Sequence, residues 1–141
     1  MNRRTWRSVG AVVAGLLLIT LLSVVTDTVL ETTGIFPSLK EQREHGLTTP
    51  WMLLLALGYR LVYTAAGGYL TAVLAPRRPV RHAVALGVVG MVLGAAGAVV
   101  TGGWDLVPVW FSVAAVVTTP PLAWFGGWLR SRRLHGRAGN E

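Results

Sequence analysis

The sequence predicts an all-α, polytopic membrane protein: a bundle of four transmembrane helices with both termini in the cytoplasm. Four long apolar stretches, 9–30, 51–74, 83–101 and 106–129, divide the 141-residue chain. At a helical rise of ~1.5 Å per residue, each covers roughly 28 to 36 Å, enough to cross a bilayer core of about 30 Å. The connections between them are too short for a further domain, so residues 1–141 form a single transmembrane domain.

The basic residues predict the orientation. If the spans alternate in direction, one side of the membrane holds only Lys40 and Arg43, and the other side holds ten arginines. Connections rich in arginine and lysine stay in the cytoplasm. Both termini and the middle loop are therefore predicted to be cytoplasmic, in a multi-pass protein of the bacterial plasma (inner) membrane. The ten arginines are Arg3, Arg4, Arg7, Arg77, Arg78, Arg81, Arg130, Arg132, Arg133 and Arg137.

The net charge of +7 favours anionic lipid as a partner over nucleic acid, because the arginines cluster just beyond the ends of the apolar stretches. The expected partner is thus the bilayer, with its anionic headgroups on the cytoplasmic side. The chain has no cysteine, which excludes disulfides and thiolate metal sites. Its three histidines, at positions 45, 82 and 135, fall in different connections and the tail, so we expect no metal site. No motif predicts a cofactor, and an enzyme is less expected than a non-catalytic protein.

Local signals mark several helix boundaries. Thr49 before Pro50 predicts an N-cap followed by proline at the first helical position, and Asp105 is predicted to cap the fourth span at Leu106.

A short helix is predicted in the connection between the first two spans. Ser38 and Glu41 have the spacing of a capping box, in which each side chain bonds the backbone of the other. Gly46 can end the helix, because glycine adopts the left-handed conformation found at many helix C-termini. The helix should therefore cover residues 39–45.

Small residues recur along one face of the third span. They predict helix packing, because membrane helices associate where small side chains let backbones approach. Their average spacing of 3.5 residues keeps them on one stripe, which predicts that the third span lies at the centre of the bundle. The partner face could come from Ala11 and Gly15, from residues 66–68, or from a second copy of the chain. The glycines of the stripe are Gly87, Gly90, Gly94 and Gly97.

Two ionisable residues, Asp27 and Arg60, lie inside apolar stretches. An unpaired charge at mid-bilayer costs about 2.5 to 3.5 kcal/mol even on the lenient insertion scale, so such residues are candidate functional sites. Counted along their helices, Arg60 is about 13 Å deep and Asp27 about 6 Å inside Glu31. Because helical side chains lean toward the N-terminus of their own helix, Arg60 can reach toward Asp27, and an ion pair is predicted. Tyr63 shares the polar region of the second span, and Glu31 is placed one turn beyond Asp27, at the outer mouth.

The fourth span offers Arg60 a second partner. Pro120 and Pro121 lack N–H groups, which should leave the carbonyls of Val116 and Val117 free and kink the helix. A guanidinium with five donors suits such acceptors. The constellation is then either a structural pair that keeps the spans in register or a polar site for an ion or a solute.

The segment 59–90, YRLVYTAAGGYLTAVLAPRRPVRHAVALGVVG, resembles small uncharacterised bacterial four-span membrane proteins, a resemblance that implies no activity. By size the chain is also similar to the small multidrug-resistance transporters, which carry a carboxylate in the first of four short helices. It departs from them because Asp27 is near the outer end of its span and because the arginine bias forbids an antiparallel dual-topology dimer. That assignment is not adopted.

Two functional hypotheses remain open. The first is an accessory or structural membrane protein that acts through membrane partners, either another protein or a second copy of the chain. The alternative is a small-solute or ion binding or transport protein that uses a polar site between spans one, two and four. Asp27, Arg60, Tyr63 and Glu31 are its candidate residues.

Overall fold

The computed structural model describes residues 2–139, which are almost wholly helical and contain no strand. Four of the helices are long and apolar enough to cross a membrane, which confirms the predicted all-α, four-span bundle. The two remaining helices are short and lie in the connections. In chain order the helices are α1 (Arg3–Thr32), α2 (Leu39–His45), α3 (Pro50–Leu74), α4 (Pro79–Val100), α5 (Gly103–Leu106) and α6 (Val109–Ala138).

We call the end of the bundle that holds both described termini and the α3–α4 connection the terminal end, and the end that holds α2 and α5 the loop end. The helices α1 and α6 have 30 residues each and continue past their apolar stretches into the arginine clusters at the terminal end. At ~1.5 Å per residue each is about 45 Å long, which exceeds the bilayer core. Because the helices continue beyond the bilayer core, these arginines lie at headgroup level.

The beginning of the fourth span was predicted wrongly. Asp105 lies inside the short helix α5, and the spanning helix α6 begins three residues later than expected, at Val109. Pro108 explains the break. Its ring disfavours a helical conformation at Val107, which is extended at φ −134° and ψ 156°, so α5 cannot run on into α6. The start of α3 is at Pro50 after Thr49, as predicted, although the Thr49 side chain forms no capping hydrogen bond.

The predicted helix between the first two spans is confirmed as α2. The Ser38 hydroxyl accepts a hydrogen bond from the Glu41 N–H, and the Glu41 carboxylate accepts one from the Ser38 N–H at 2.8 Å. Gly46 ends the helix at φ 72°, in the left-handed region that favours glycine. The Leu47 N–H then donates to the Leu106 carbonyl at 2.6 Å, which joins this connection to α5.

Two spans are central in the bundle: α3 and α4 each pack against all three other spans, and α3 has the more extensive contacts. Two adjacent glycines let the neighbours of α3 approach from different sides. A Cβ built on Gly67 would come within 3.0 Å of the Gly15 carbonyl oxygen in α1, and one built on Gly68 within 2.8 Å of the Ala123 Cα in α6. The third span, α4, therefore has a central position as predicted, but it shares that position with α3.

The glycine stripe of α4 divides into two halves. A Cβ on Gly87 would lie 2.7 Å from the Pro120 Cα, and one on Gly90 would lie 3.3 Å from the Thr119 side chain. Gly94 and Gly97 have no heavy atom within 4 Å of a built Cβ, so these two do not pack within the chain; packing against a second copy stays a prediction. The stripe contacts α6 toward the terminal end and faces open space toward the loop end.

Pro120 and Pro121 lie inside α6, and the helix continues through both to Ala138. In the preceding turn, the Thr119 hydroxyl donates to the Ala115 carbonyl at 2.8 Å, a bond that often accompanies helix bending. The size of a bend at the two prolines stays a prediction.

Candidate functional site

The structure brings Asp27 and Arg60 together between α1 and α3. The Arg60 Nη2 lies 2.8 Å from the Asp27 Oδ2, and the Tyr59 hydroxyl donates to the Asp27 Oδ1. Each carboxylate oxygen of Asp27 therefore accepts a hydrogen bond. The Arg60 guanidinium carbon also lies 5.3 Å from the centre of the Tyr59 ring, within the range of a cation–π contact.

Helix geometry explains how two consecutive residues of α3 can hold one carboxylate. Neighbouring positions on a helix are about 100° apart, so Tyr59 and Arg60 reach the Asp27 side chain from two sides of the α1–α3 contact. The pair is not in the core: the exposed fractions of its side chains are 36% for Arg60 and 31% for Asp27. It therefore lies on a wall of the bundle, where part of the guanidinium stays accessible.

Tyr63 and Glu31 form hydrogen bonds with residues outside the Asp27–Arg60 pair. The Thr26 hydroxyl donates to the Leu22 carbonyl, so in the 2.7 Å contact between the Thr26 and Tyr63 hydroxyls Tyr63 is the donor. Glu31 accepts a hydrogen bond from the Gln42 side chain of α2 at 3.2 Å. Tyr63 thus adds a second tie between α1 and α3, and Glu31 connects α1 to the short helix at the loop end.

The fourth span does not bond Arg60. Within residues 2–139 the Arg60 side chain donates to Asp27 and to no carbonyl of α6, so the predicted alternative partners at Val116 and Val117 are not used. The later start of α6 contributes to this difference. The depth of both carbonyls was counted from Leu106, but the helix begins at Val109, so they lie about 5 Å nearer its start than expected. The polar site is built by spans one and two.

A cavity of about 620 Å³ lies between α1, α3, α4 and α6, on the side to which Arg60 points. Its walls are mostly apolar, and Gly94 and Ala98 line it on the α4 side, where a Cβ built on Gly94 would meet nothing within 4 Å. Gly103 and Val107, from the α4–α6 connection, line it at the loop end. The polar side chains in its lining are Thr20, Ser23, Arg60, Thr64, Ser112 and Thr119.

Sequence reasoning missed part of this site. It gave Tyr59 no role in the site, yet the tyrosine hydroxyl donates to one oxygen of the Asp27 carboxylate. It did not single out Ser112, a polar residue only 8% exposed, or Thr64, 7% exposed. The available signal was the position of both residues inside apolar stretches, where a polar side chain must find an internal partner.

The described residues show neither a metal cluster nor a carboxylate paired with histidine. Among the described residues there is no group of three histidine, cysteine, aspartate or glutamate side chains that could hold a metal ion. The Asp27 carboxylate is engaged by two donors and is remote from histidine partners, so it does not have the arrangement of a general base. What the site offers is one cationic donor on the wall of an apolar cavity. Comparison with known proteins found no matching family model, curated protein or solved structure.

Proposed function

We propose that this chain is a multi-pass protein of the bacterial plasma membrane, with both termini cytoplasmic, that binds a small membrane-soluble molecule in the cavity between its four spans. The observation that carries the proposal is the cavity itself. Its volume of about 620 Å³ lies in the range of about 300 to 1,000 Å³ typical of ligand sites, and Arg60 is its one charged lining residue. An apolar wall with one directional donor is the usual composition of such sites.

Two glycines of α4 give a matched test. Gly94 lines the cavity and Gly97 does not, yet a Cβ at each would meet nothing within 4 Å. Neither Gly94→Leu nor Gly97→Leu should therefore displace a neighbouring helix. Only Gly94→Leu should reduce the space available to a ligand.

Native mass spectrometry after purification in a mild detergent gives the measurement. The unmodified protein and Gly97→Leu should carry a bound small molecule, and Gly94→Leu should have lost most of it. An unmodified protein with an empty cavity, or equal occupancy in the two variants, would contradict the proposal. Co-purification of a partner protein with all three and no small molecule would instead favour the accessory role.

A further inference from the structure

Resting on that proposed function, we infer that the ligand is a lipid-like molecule whose head group is an uncharged hydrogen-bond acceptor, such as an ester or ketone carbonyl, held by Arg60. The first step concerns donors. A guanidinium has five N–H groups, and among the described residues one terminal nitrogen of Arg60 is engaged, by Asp27. Several donors of Arg60 therefore remain available on the side that lines the cavity.

The remaining polar groups of the cavity offer weaker donors. The Thr64 hydroxyl donates to the Arg60 carbonyl at 2.8 Å, and the Thr119 hydroxyl donates to the Ala115 carbonyl. These two protons are used within their own helices, whereas the lining hydroxyls of Thr20, Ser23 and Ser112 have no such bond among the described residues and are neutral donors, weaker than a guanidinium. A ligand that bonds strongly in this cavity must then bring an acceptor for Arg60.

The charge of the pair decides between an anionic and a neutral acceptor. Asp27 compensates Arg60 at 2.8 Å, so the site is close to neutral before any ligand arrives. An anionic head would add a second negative charge beside Asp27 in a medium of low dielectric constant, where like charges repel strongly and desolvation is costly. A carbonyl oxygen accepts the same donors without either penalty.

The apolar walls of the cavity and its opening between α1 and α4 fit a ligand with an apolar tail. Val24 of α1 and Leu93 of α4 both line the cavity, and each is 56% exposed on the isolated bundle. These side chains mark a lateral rim between α1 and α4, which faces lipid acyl chains in a membrane. A molecule dissolved in the bilayer can enter by this route without crossing water.

Two probes with the same number of carbon atoms separate the alternatives: methyl laurate, with an uncharged ester, and the corresponding alkyl sulfonate, which is anionic at every accessible pH. Each is titrated into the full-length protein in lipid nanodiscs, and the fraction of protein that carries one probe is read by native mass spectrometry. The ester should bind at least about tenfold more tightly than the sulfonate, because the like-charge penalty falls on the sulfonate alone.

Variants test the part played by Arg60. The double change Asp27→Leu with Arg60→Met keeps the site neutral and leaves no donor on either side chain, so ester binding should fall by about tenfold or more. Asp27→Asn alone leaves Arg60 uncompensated and should shift the preference toward the sulfonate. If that single variant does not fold, the double variant still gives a result.

Results that would overturn the neutral-head inference differ from those that would overturn the proposed function. Tighter binding of the sulfonate to the unmodified protein, or unchanged ester binding in the double variant, would overturn the neutral-head inference while a ligand-binding cavity stands. Absence of binding by both probes, together with a cavity that is empty on purification, would overturn the proposed function as well.

Discussion

The Asp27–Arg60 pair should be strongly coupled energetically, and its geometry sets the expected size of the effect. Removing one member of a fully buried pair typically costs about 3 to 5 kcal/mol, because the other charge is left uncompensated. The exposed fractions of 36% and 31% place this pair on a wall of the bundle, so we expect a cost below this range. Asp27→Asn alone and Arg60→Gln alone should each lower the free energy of unfolding by about 2 kcal/mol.

The double variant should recover much of this loss. With both charges removed, neither side chain is an unpaired ion in an apolar surrounding, and the cost should fall to about 1 kcal/mol. The coupling free energy of the double-mutant cycle is then about 3 kcal/mol, well above the additivity error of about 0.3 to 0.5 kcal/mol. The assay is reversible unfolding in mixed micelles, followed by circular dichroism for all four proteins.

A neutral hydrogen bond in the same helix pair provides the control. Tyr63→Phe removes the 2.7 Å bond to Thr26 without changing any charge, and hydrogen bonds between membrane helices average about 0.6 kcal/mol. It should therefore cost much less than either charge variant. Additive effects of Asp27→Asn and Arg60→Gln, within the error of the cycle, would show that the two side chains do not interact and would refute the geometry on which the site is built.

Three further predictions concern topology, packing and pH. A reporter fused to the C-terminus should read cytoplasmic and one inserted at Lys40 external, because the arginine excess resists translocation; the reverse pattern in reporter assays would overturn the orientation. In detergent, Gly87→Leu should lower the midpoint of thermal unfolding markedly and Gly97→Leu hardly at all. Of these two glycines, only Gly87 has α6 backbone within 2.7 Å of a built Cβ, so equal midpoints would contradict this packing. The pKa of Glu41 is held below its ordinary value of 4.5, first by the hydrogen bond from the Ser38 N–H, so this contribution to the stability of α2 is present above that value and lost as pH falls through the lowered pKa. Amide exchange in α2 should rise over that acidic range and should not in Glu41→Gln.

Features governed by neighbouring residues could be predicted from the sequence. The four spans follow from runs of apolar residues, and α2 follows from Ser38, Glu41 and Gly46, whose hydrogen bonds and backbone angles are local. The start of α6 was also a local matter. Pro108 is a local signal against a helix that runs through Leu106 and Val107. The prediction followed the capping potential of Asp105 instead and placed the start of the helix too early.

Features that depend on which helices meet could not be predicted in the same way. The sequence contains small residues in every span, and spacing alone does not say which of them face a backbone. Gly67 and Gly68 form no long stripe, yet they occupy two contacts of α3, while Gly94 belongs to the most regular stripe and faces open space. Counting depth along straight helices, together with the lean of helical side chains toward the N-terminus, predicted the Asp27–Arg60 contact, because both residues sit on adjacent antiparallel helices.

The positions of the closely packed glycines explain why the cavity forms where it does. A Cβ on Gly67 or Gly68 of α3, or on Gly87 of α4, would be forced against a neighbouring helix, and all three lie in the halves of their helices nearer the terminal end. Toward the loop end α4 presents Gly94, which touches nothing and lines the cavity. The terminal half is thus drawn together at these glycines. Toward the loop end α3 and α6 still share a buried cluster that includes Leu53 and Phe111, whereas α4 borders the cavity, with Leu93 at its rim. Under the predicted orientation, this rim and Arg60 lie in the outer leaflet, so the glycine pattern that draws the cytoplasmic half together also determines from which leaflet a lipid-like ligand can enter.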